Sequence, residues 1–269
     1  MKKAGQGNIS LRAPMGETVV LLHTCCAPCS SAIIEAMMKS GITPVIYYCN
    51  PNIYPKAEYE IRKEECSRYA RSLGLEIVDA DYDHENWLAQ MKGLENEPER
   101  GGRCLKCFKL RLFRTAMYAS RRGIRVIATT LASSRWKSIE QINEAGRWAC
   151  EQMANRLGVE SFPVMEPPVC VESPGCFSTA PLASARCPEE IEAATVPVPS
   201  DSERSVCPFG AVDYNRLGVE SFPVMEPPVW WDHNWKKGGL QERRLQIIKE
   251  YGFYNQQYCG CEFSMRHLE

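Results

Sequence analysis

The sequence lacks the features that define several classes of protein. No run approaches the roughly 18 apolar residues of a membrane-spanning helix, and residues 1–16 contain no apolar core of a signal peptide. Charge of neither sign dominates, because 32 Lys and Arg face 33 Asp and Glu, for a net charge of −1. We therefore expect a cytoplasmic protein with no membrane partner, whose overall charge does not favour a polyanionic partner.

Cysteine, in contrast, is abundant: the 269-residue chain contains 14. In a reducing compartment, so many cysteines indicate metal ligands or redox thiols rather than structural disulfides. We expect Cys49, Cys66 and Cys150, which lie singly in strand or helix patterns, to be buried and inert. The seven candidate ligands fall in three groups: Cys25-Cys26-Ala27-Pro28-Cys29, Cys104-Leu105-Lys106-Cys107 and Cys259-Gly260-Cys261.

Short apolar runs alternate with helical segments along the first 154 residues. This alternation predicts an α/β fold, with a Rossmann-like parallel sheet flanked by helices in a single main domain. The predicted strands are 17–24, 42–49, 75–80 and 124–130, and the predicted helices are 31–40, 57–73, 83–92, 105–122, 139–154 and 240–251.

A duplication interrupts this pattern. Residues 155–169 recur without change at 215–229, and the stretch between the copies is rich in Pro, Ser and Ala and has no Lys. We interpret 155–229 as a loop-rich insertion into a catalytic domain made of 17–154 and 230–264, preceded by a disordered tail, 1–16. The insertion's cysteines have irregular spacings that match no metal motif: Cys170, Cys176, Cys187 and Cys207.

The first two cysteine groups lie where α/β folds place ligands. The first follows a predicted strand, and the second begins a predicted helix, whose dipole and free amides favour thiolate. Four thiolates suit either a [4Fe–4S] cluster or a closed structural zinc site, so seven cysteines exceed both needs. The surplus indicates a second metal or a thiol pair, and the Cys259–Cys261 pair fits either a reducible disulfide or a two-sulfur metal ligand.

Long motifs around these cysteines resemble one known family, the cobalamin-independent epoxyqueuosine reductases (QueH). The resemblance spans residues 17–154 and 230–264, and the insertion departs from it. The motifs include LLHTCCAPCS at 21–30, YYCNPNIYPKAEYEIRK at 47–63, GLENEPERGGRCLKCFKLRL at 93–112 and YGFYNQQYCGCEFS at 251–264.

The resemblance implies a specific activity: reduction of epoxyqueuosine to queuosine at the wobble position of tRNA, the last step in making that nucleoside. It implies a [4Fe–4S] cluster on Cys25, Cys26, Cys104 and Cys107. Cys259 and Cys261 would form a redox-active dithiol or, with Cys29, hold a second mononuclear metal, iron or zinc. The implied partners are tRNA carrying epoxyqueuosine and an electron donor that the sequence does not identify.

Removal of an epoxide oxygen to leave an alkene consumes two electrons and two protons, so the site also needs a general acid. Asp81, Asp83 and His84 follow the third predicted strand, where active-site groups of such folds lie. We take Asp81 and Asp83 as catalytic candidates. The alternative for these residues is a solvated loop with Asp83 as a helix N-cap.

A local basic segment favours an RNA partner despite the neutral total. Residues 100–125 contain nine Lys or Arg and no acid, and the apolar stripe of the predicted helix leaves Lys106, Lys109, Arg111 and Arg114 to face outward. We expect Tyr54 to stack on a flipped base. The other candidates for substrate binding are basic: Arg103, Arg111, Arg135 and Lys137.

Two other functions compete with the reductase. A zinc-binding RNA-interaction module without redox activity would also use clustered cysteines. An ATP-using tRNA thiolase has a similar fold, but CCAPCS stands where those enzymes carry an SGGxDS phosphate loop. The sequence therefore argues against ATP use and leaves the zinc module as the alternative.

Overall fold

A computed structural model describes residues 10–158, 226–254 and 256–265, which belong to one compact unit. The five-stranded sheet is parallel throughout, in the order β3-β2-β1-β4-β5, and helices flank it. The predicted α/β class is therefore confirmed. The strands are β1 (Val19–His23), β2 (Thr43–Tyr48), β3 (Ile77–Asp79), β4 (Val126–Thr129) and β5 (Val229–Trp230).

The central strand β1 forms the core because its residues are apolar on both faces. Leu21 pairs with Val45 of β2 and with Ile127 of β4, and neither Leu21 nor Leu22 is accessible to solvent. Such continuous apolar runs are typical of parallel strands covered by helices. The carboxyl ends of β1, β2 and β4 consequently meet at one edge of the sheet, which is where the first cysteine group lies.

Six of the helices match predicted segments, with shifts at some ends, and the short α7 was not predicted. α1 begins at Ala27 and α4 at Gly102, four and three residues earlier than predicted. Pro28 in the first turn of α1 explains the earlier start, since proline fits the first turn of a helix. The helices are α1 (Ala27–Lys39), α2 (Lys56–Ser72), α3 (His84–Met91), α4 (Gly102–Arg121), α5 (Ile139–Leu157), α6 (Leu240–Tyr251) and α7 (Glu262–Met265).

The strand β5 was not predicted, because two residues are too few to show the alternating or continuous apolar pattern of a strand. Its position is set by packing: Gly146 of α5 lies against the Trp230 ring, and a Cβ there would come within 2.2 Å of it. None of the described helices is long and apolar enough to span a membrane.

Most of the predicted insertion, including Cys170, Cys176, Cys187 and Cys207, lies outside the described residues, as do residues 1–9 of the predicted tail. Within the tail's described part, Leu11 is buried and its amide donates to the Ser40 hydroxyl, at 2.8 Å. The domain boundaries stay a prediction.

Candidate metal centre and active site

The first cysteine group is formed by the turn from β1 into α1. Cys26 has an extended backbone and caps the helix, so Cys29 follows in the first helical turn. The sulfurs of Cys25, Cys26 and Cys29 all lie within 4.8 Å of one another, and the Cys25–Cys26 sulfur distance is 3.7 Å. All three residues are buried. Three soft donors converging in this way can hold a metal ion.

Electrostatics in this group favour one thiolate among two thiols. Hydrogen bonds with Cys26 and Cys29 lower the pKa of Cys25 well below its ordinary value, against the effect of burial, and Lys137 and Arg111 add positive charge. Burial raises the pKa of Cys26. The hydrogen bond with Cys25 is the main cause that raises the pKa of Cys29 to about 11. Metal binding must therefore displace protons from Cys26 and Cys29.

The second group lies on the first turn of α4. The Arg100 amide donates to the Cys104 sulfur at 3.3 Å, and the Trp87 indole N–H donates to the Cys107 sulfur at the same distance. Burial nevertheless raises the pKa of Cys107, and that of Cys104 to about 11. Desolvation of these two thiols therefore outweighs the hydrogen bonds that favour their thiolate forms.

The third group is held against the loop that follows β2. Cys261 forms a bridge with Ile53, and the Tyr54 amide donates to the Gly260 carbonyl at 2.8 Å. Gly260 has φ +101°, and a Cβ on it would lie 2.7 Å from the guanidinium of Arg62. Arg62 in turn donates to the Cys259 and Tyr258 carbonyls, each at 3.4 Å. The backbone of the pair is thus fixed by contacts nearly 200 residues away in sequence.

Electrostatic interactions connect the three groups. Burial raises the pKa of Cys261, as it does those of Cys104 and Cys107, and negative charge on Cys259 raises all three further. Lys137, only 7% exposed, lies between the first and third groups: burial opposes its charge, but Cys259, Cys25 and Cys29 outweigh burial and raise its pKa. A buried ammonium that faces several thiols stabilises them as thiolates.

The described residues contain a single set of three or more Cys, His, Asp or Glu donors that is already arranged for a metal, Cys25, Cys26 and Cys29. Cys104, Cys107, Cys259 and Cys261 lie outside this set. The assignment of the cluster to Cys25, Cys26, Cys104 and Cys107 stays a prediction. All described cysteines are free thiols, and Cys49 and Cys66 are buried as expected.

The two predicted acids differ in surroundings. Asp81 is exposed, whereas Asp83 precedes α3 and accepts from the Asn86 amide at 3.0 Å, without a side-chain cap bond. The neighbouring His84 is held on both sides: Nδ1 contacts the Pro51 carbonyl at 2.7 Å, and Nε2 contacts Glu262 at 3.2 Å. Glu262 was missed, although its place directly after the third cysteine group was the available signal.

The basic candidates lie in contrasting places. Arg111 was expected to face outward, and this is wrong: it is 1% exposed and donates to the Cys49 carbonyl and the Asn50 amide oxygen. Arg103 is also buried, and it donates to the carbonyls of residues 94, 95 and 97. Arg135 is exposed and lies over the Trp136 ring. These positions give Arg103 and Arg111 structural contacts and leave Arg135 accessible.

Two features near the cysteines are accessible to a large substrate. The Tyr54 ring is 43% exposed and stacks on His84, with ring centroids 5.4 Å apart. An open depression of about 580 Å³ lies at the start of α5 and is lined by Arg100, Lys137, Ser138, Ile139, Glu140, Gln141 and Lys236. Three cations and one carboxylate line it, which makes it favourable for a phosphate.

The chain is similar in sequence to known proteins. The sequence profile described as epoxyqueuosine reductase QueH matches residues 20–162 and 220–267. Proteins named epoxyqueuosine reductase QueH are similar over nearly the whole chain. That of Histophilus somni is 36% identical over 95% of this chain and 76% of its own length. The Haemophilus influenzae protein is 35% identical over 95% of this chain and 75% of its own length. The Acinetobacter baylyi protein is 34% identical over 96% of this chain and 85% of its own length.

The fold and the site define a thiol-rich α/β protein in which three cysteines that could hold a metal lie at the carboxyl edge of a parallel sheet. The profile match covers well over half of the chain, and the relatives exceed 30% identity over most of their length. The chain belongs to the QueH family.

Proposed function

We propose that this protein reduces epoxyqueuosine to queuosine in tRNA. The observation that carries the proposal is the convergence of Cys25, Cys26 and Cys29 at the sheet edge of a chain in the QueH family. The reaction takes two electrons and two protons, breaks both C–O bonds of the epoxide, forms a C=C bond and releases the oxygen as water. A tRNA substrate agrees with the expected cytoplasmic location.

The donor set fits a [4Fe–4S] cluster, because thiolates are the usual ligands and these are buried next to two cations. We propose Cys25, Cys26, Cys104 and Cys107 as the cluster ligands. Cys29, Cys259 and Cys261 are left for a second mononuclear metal, or Cys259 and Cys261 serve as a dithiol. A bound cluster would supply electrons one at a time from a donor that the sequence does not identify.

Proton supply follows from the contacts of His84. A backbone carbonyl only accepts, so Nδ1 carries a hydrogen, and a carboxylate facing Nε2 also only accepts unless it is itself protonated. A hydrogen bond between Nε2 and Glu262 therefore needs one hydrogen, which either group can carry. We propose this pair as a proton source beside the other two candidates, Asp81 and Asp83.

Substrate binding uses the exposed features. Tyr54, supported from behind by His84, offers a ring on which the modified base can stack. Arg135 is exposed beside Arg100 of the basic depression, where it can meet the RNA backbone. Lys137 also lines the depression but is buried, so its charge acts on the thiols and on bound phosphate from within the protein. Arg103 and Arg111 contribute indirectly, because their guanidinium groups donate hydrogen bonds to backbone carbonyls around the site.

The test uses anaerobically purified full-length protein. Iron, sulfide and the visible spectrum are measured, and a chemical reductant and epoxyqueuosine-containing tRNA are then added before nucleoside analysis. We expect about four irons per chain in the cluster and conversion to queuosine. Cys104→Ala should lose the cluster, and Cys150→Ala, on α5, should retain it. Colourless, zinc-loaded protein that binds tRNA without changing it would establish the zinc module instead.

A further inference from the structure

Gln256 combines burial with an unused hydrogen-bond donor. Its side chain is 6% exposed, and its Oε1 accepts from the Cys26 thiol, with a sulfur–oxygen distance of 3.2 Å. Its Nε2 is buried and has no partner among the described residues. A buried amide nitrogen without a partner costs free energy, so the metal-free protein leaves this side chain incompletely satisfied.

If Cys26 binds a metal, its sulfur changes from a hydrogen-bond donor to an acceptor, so Gln256 must donate rather than accept. A metal-bound cysteine sulfur has lost its proton and can only accept a hydrogen bond. The carboxamide oxygen and the sulfur would then be two acceptors 3.2 Å apart, which repel each other. Rotation of the carboxamide by half a turn exchanges Oε1 for Nε2 and places a donor against the sulfur.

We propose that Gln256 is a positioning residue that donates an N–H···S hydrogen bond to the Cys26 sulfur when the thiols bind metal. Such a bond stabilises the ligated state and raises the reduction potential of an iron–sulfur centre. The inference rests on the proposed function only in requiring that Cys26 is a metal ligand, as it is in the proposed cluster. It also explains why a polar side chain is buried at this point.

The test compares Gln256→Leu with Gln257→Leu, a substitution of the adjacent, exposed glutamine. Metal-free full-length protein is titrated anaerobically with Co²⁺, followed by thiolate-to-cobalt absorption, and its thermal unfolding is recorded. We expect Gln256→Leu to weaken Co²⁺ binding by about tenfold or more. Its metal-free unfolding midpoint should be equal to or above that of the wild type, because an unpartnered polar group is replaced by an apolar one. Gln257→Leu should change neither property.

Protein purified with its iron gives a second readout. Removal of the donor should shift the one-electron reduction equilibrium about tenfold toward the oxidised centre, a potential lower by about 59 mV. Unchanged Co²⁺ affinity in a folded Gln256→Leu protein would overturn the inference. A Gln256→Leu protein with a lowered metal-free unfolding midpoint and unchanged Co²⁺ affinity would also overturn it, because the amide would then stabilise the folded protein and not the metal site. Gln256-dependent Co²⁺ binding without conversion of tRNA would instead refute the proposed function and leave this inference standing.

Discussion

The Cys25–Cys26–Cys29 group and the Cys259–Cys261 group are held by different kinds of structure. The first lies in the turn from a central strand into a helix and on the first turn of that helix, so two regular elements set the sulfur positions. The second lies on an irregular segment fixed by Arg62, Ile53 and Tyr54 from a remote part of the chain. The sulfurs of the first group are therefore arranged by regular secondary structure. The position of the Cys259–Cys261 pair depends instead on a few contacts that single substitutions can remove.

The largest effect should come from the rigid group. Cys25→Ala removes the thiolate that two neighbouring thiols and two cations stabilise, so we expect iron binding to fall to background. Cys259→Ala should retain iron at the first group and lose activity. Metal analysis of both proteins beside Cys150→Ala checks this, and equal iron loss in the two site variants would remove the distinction between the groups.

The next largest effect should come from Arg62, which forms a buried ion pair with Glu58 at 2.6 Å. Arg62→Met leaves the Glu58 carboxylate buried without its partner, which costs about 3 kcal/mol of unfolding free energy. Alkylation of Cys259 and Cys261 should accelerate, while that of Cys29 should not. Lys39→Met, which breaks an exposed pair with Glu35, is the control and should cost less than about 1 kcal/mol.

Gly260→Ala tests the third group without removing a charge. The positive φ disfavours alanine by about 1–2 kcal/mol, and the clash with Arg62 adds about 1 kcal/mol or more. Gly252→Ala shares the positive φ but has open space around it, so it isolates the cost of the backbone. Chemical unfolding of both variants measures the difference between their losses of unfolding free energy. Equal losses would mean that the Arg62 side chain moves away from the new methyl group at little cost.

The smallest effect should be at Tyr54, whose exposed ring contributes little to the fold. Tyr54→Ala should weaken tRNA binding about tenfold, or about 1.4 kcal/mol, because one base loses its stacking partner. Tyr54→Phe keeps the ring and should bind as the wild type does. Binding titrations with epoxyqueuosine-containing tRNA measure this, and full affinity in the alanine variant would place the base elsewhere.

The sheet was predictable because its strands are continuous apolar runs, and the three cysteine groups were recognisable by their spacing. The placement of Arg111 was not. Helical periodicity assigns charged residues to the solvent face, and it carries no information about the Cys49 carbonyl and Asn50 amide that accept from the guanidinium. The role of Gln256 was equally unpredictable, since it depends on a contact with a residue 230 positions away. Glu262 could be suspected from its place directly after the third cysteine group, but its contact with His84, 178 positions away, could not be predicted.

The hydrogen bond between Cys26 and Gln256 joins residues separated by 230 positions. A ribosome therefore finishes the strand and helix that carry Cys25, Cys26 and Cys29 long before it makes the segment that covers them. During that interval Cys26 lacks its Gln256 contact. The hydrogen bonding around this group is therefore completed only when the last few residues of the domain have been made.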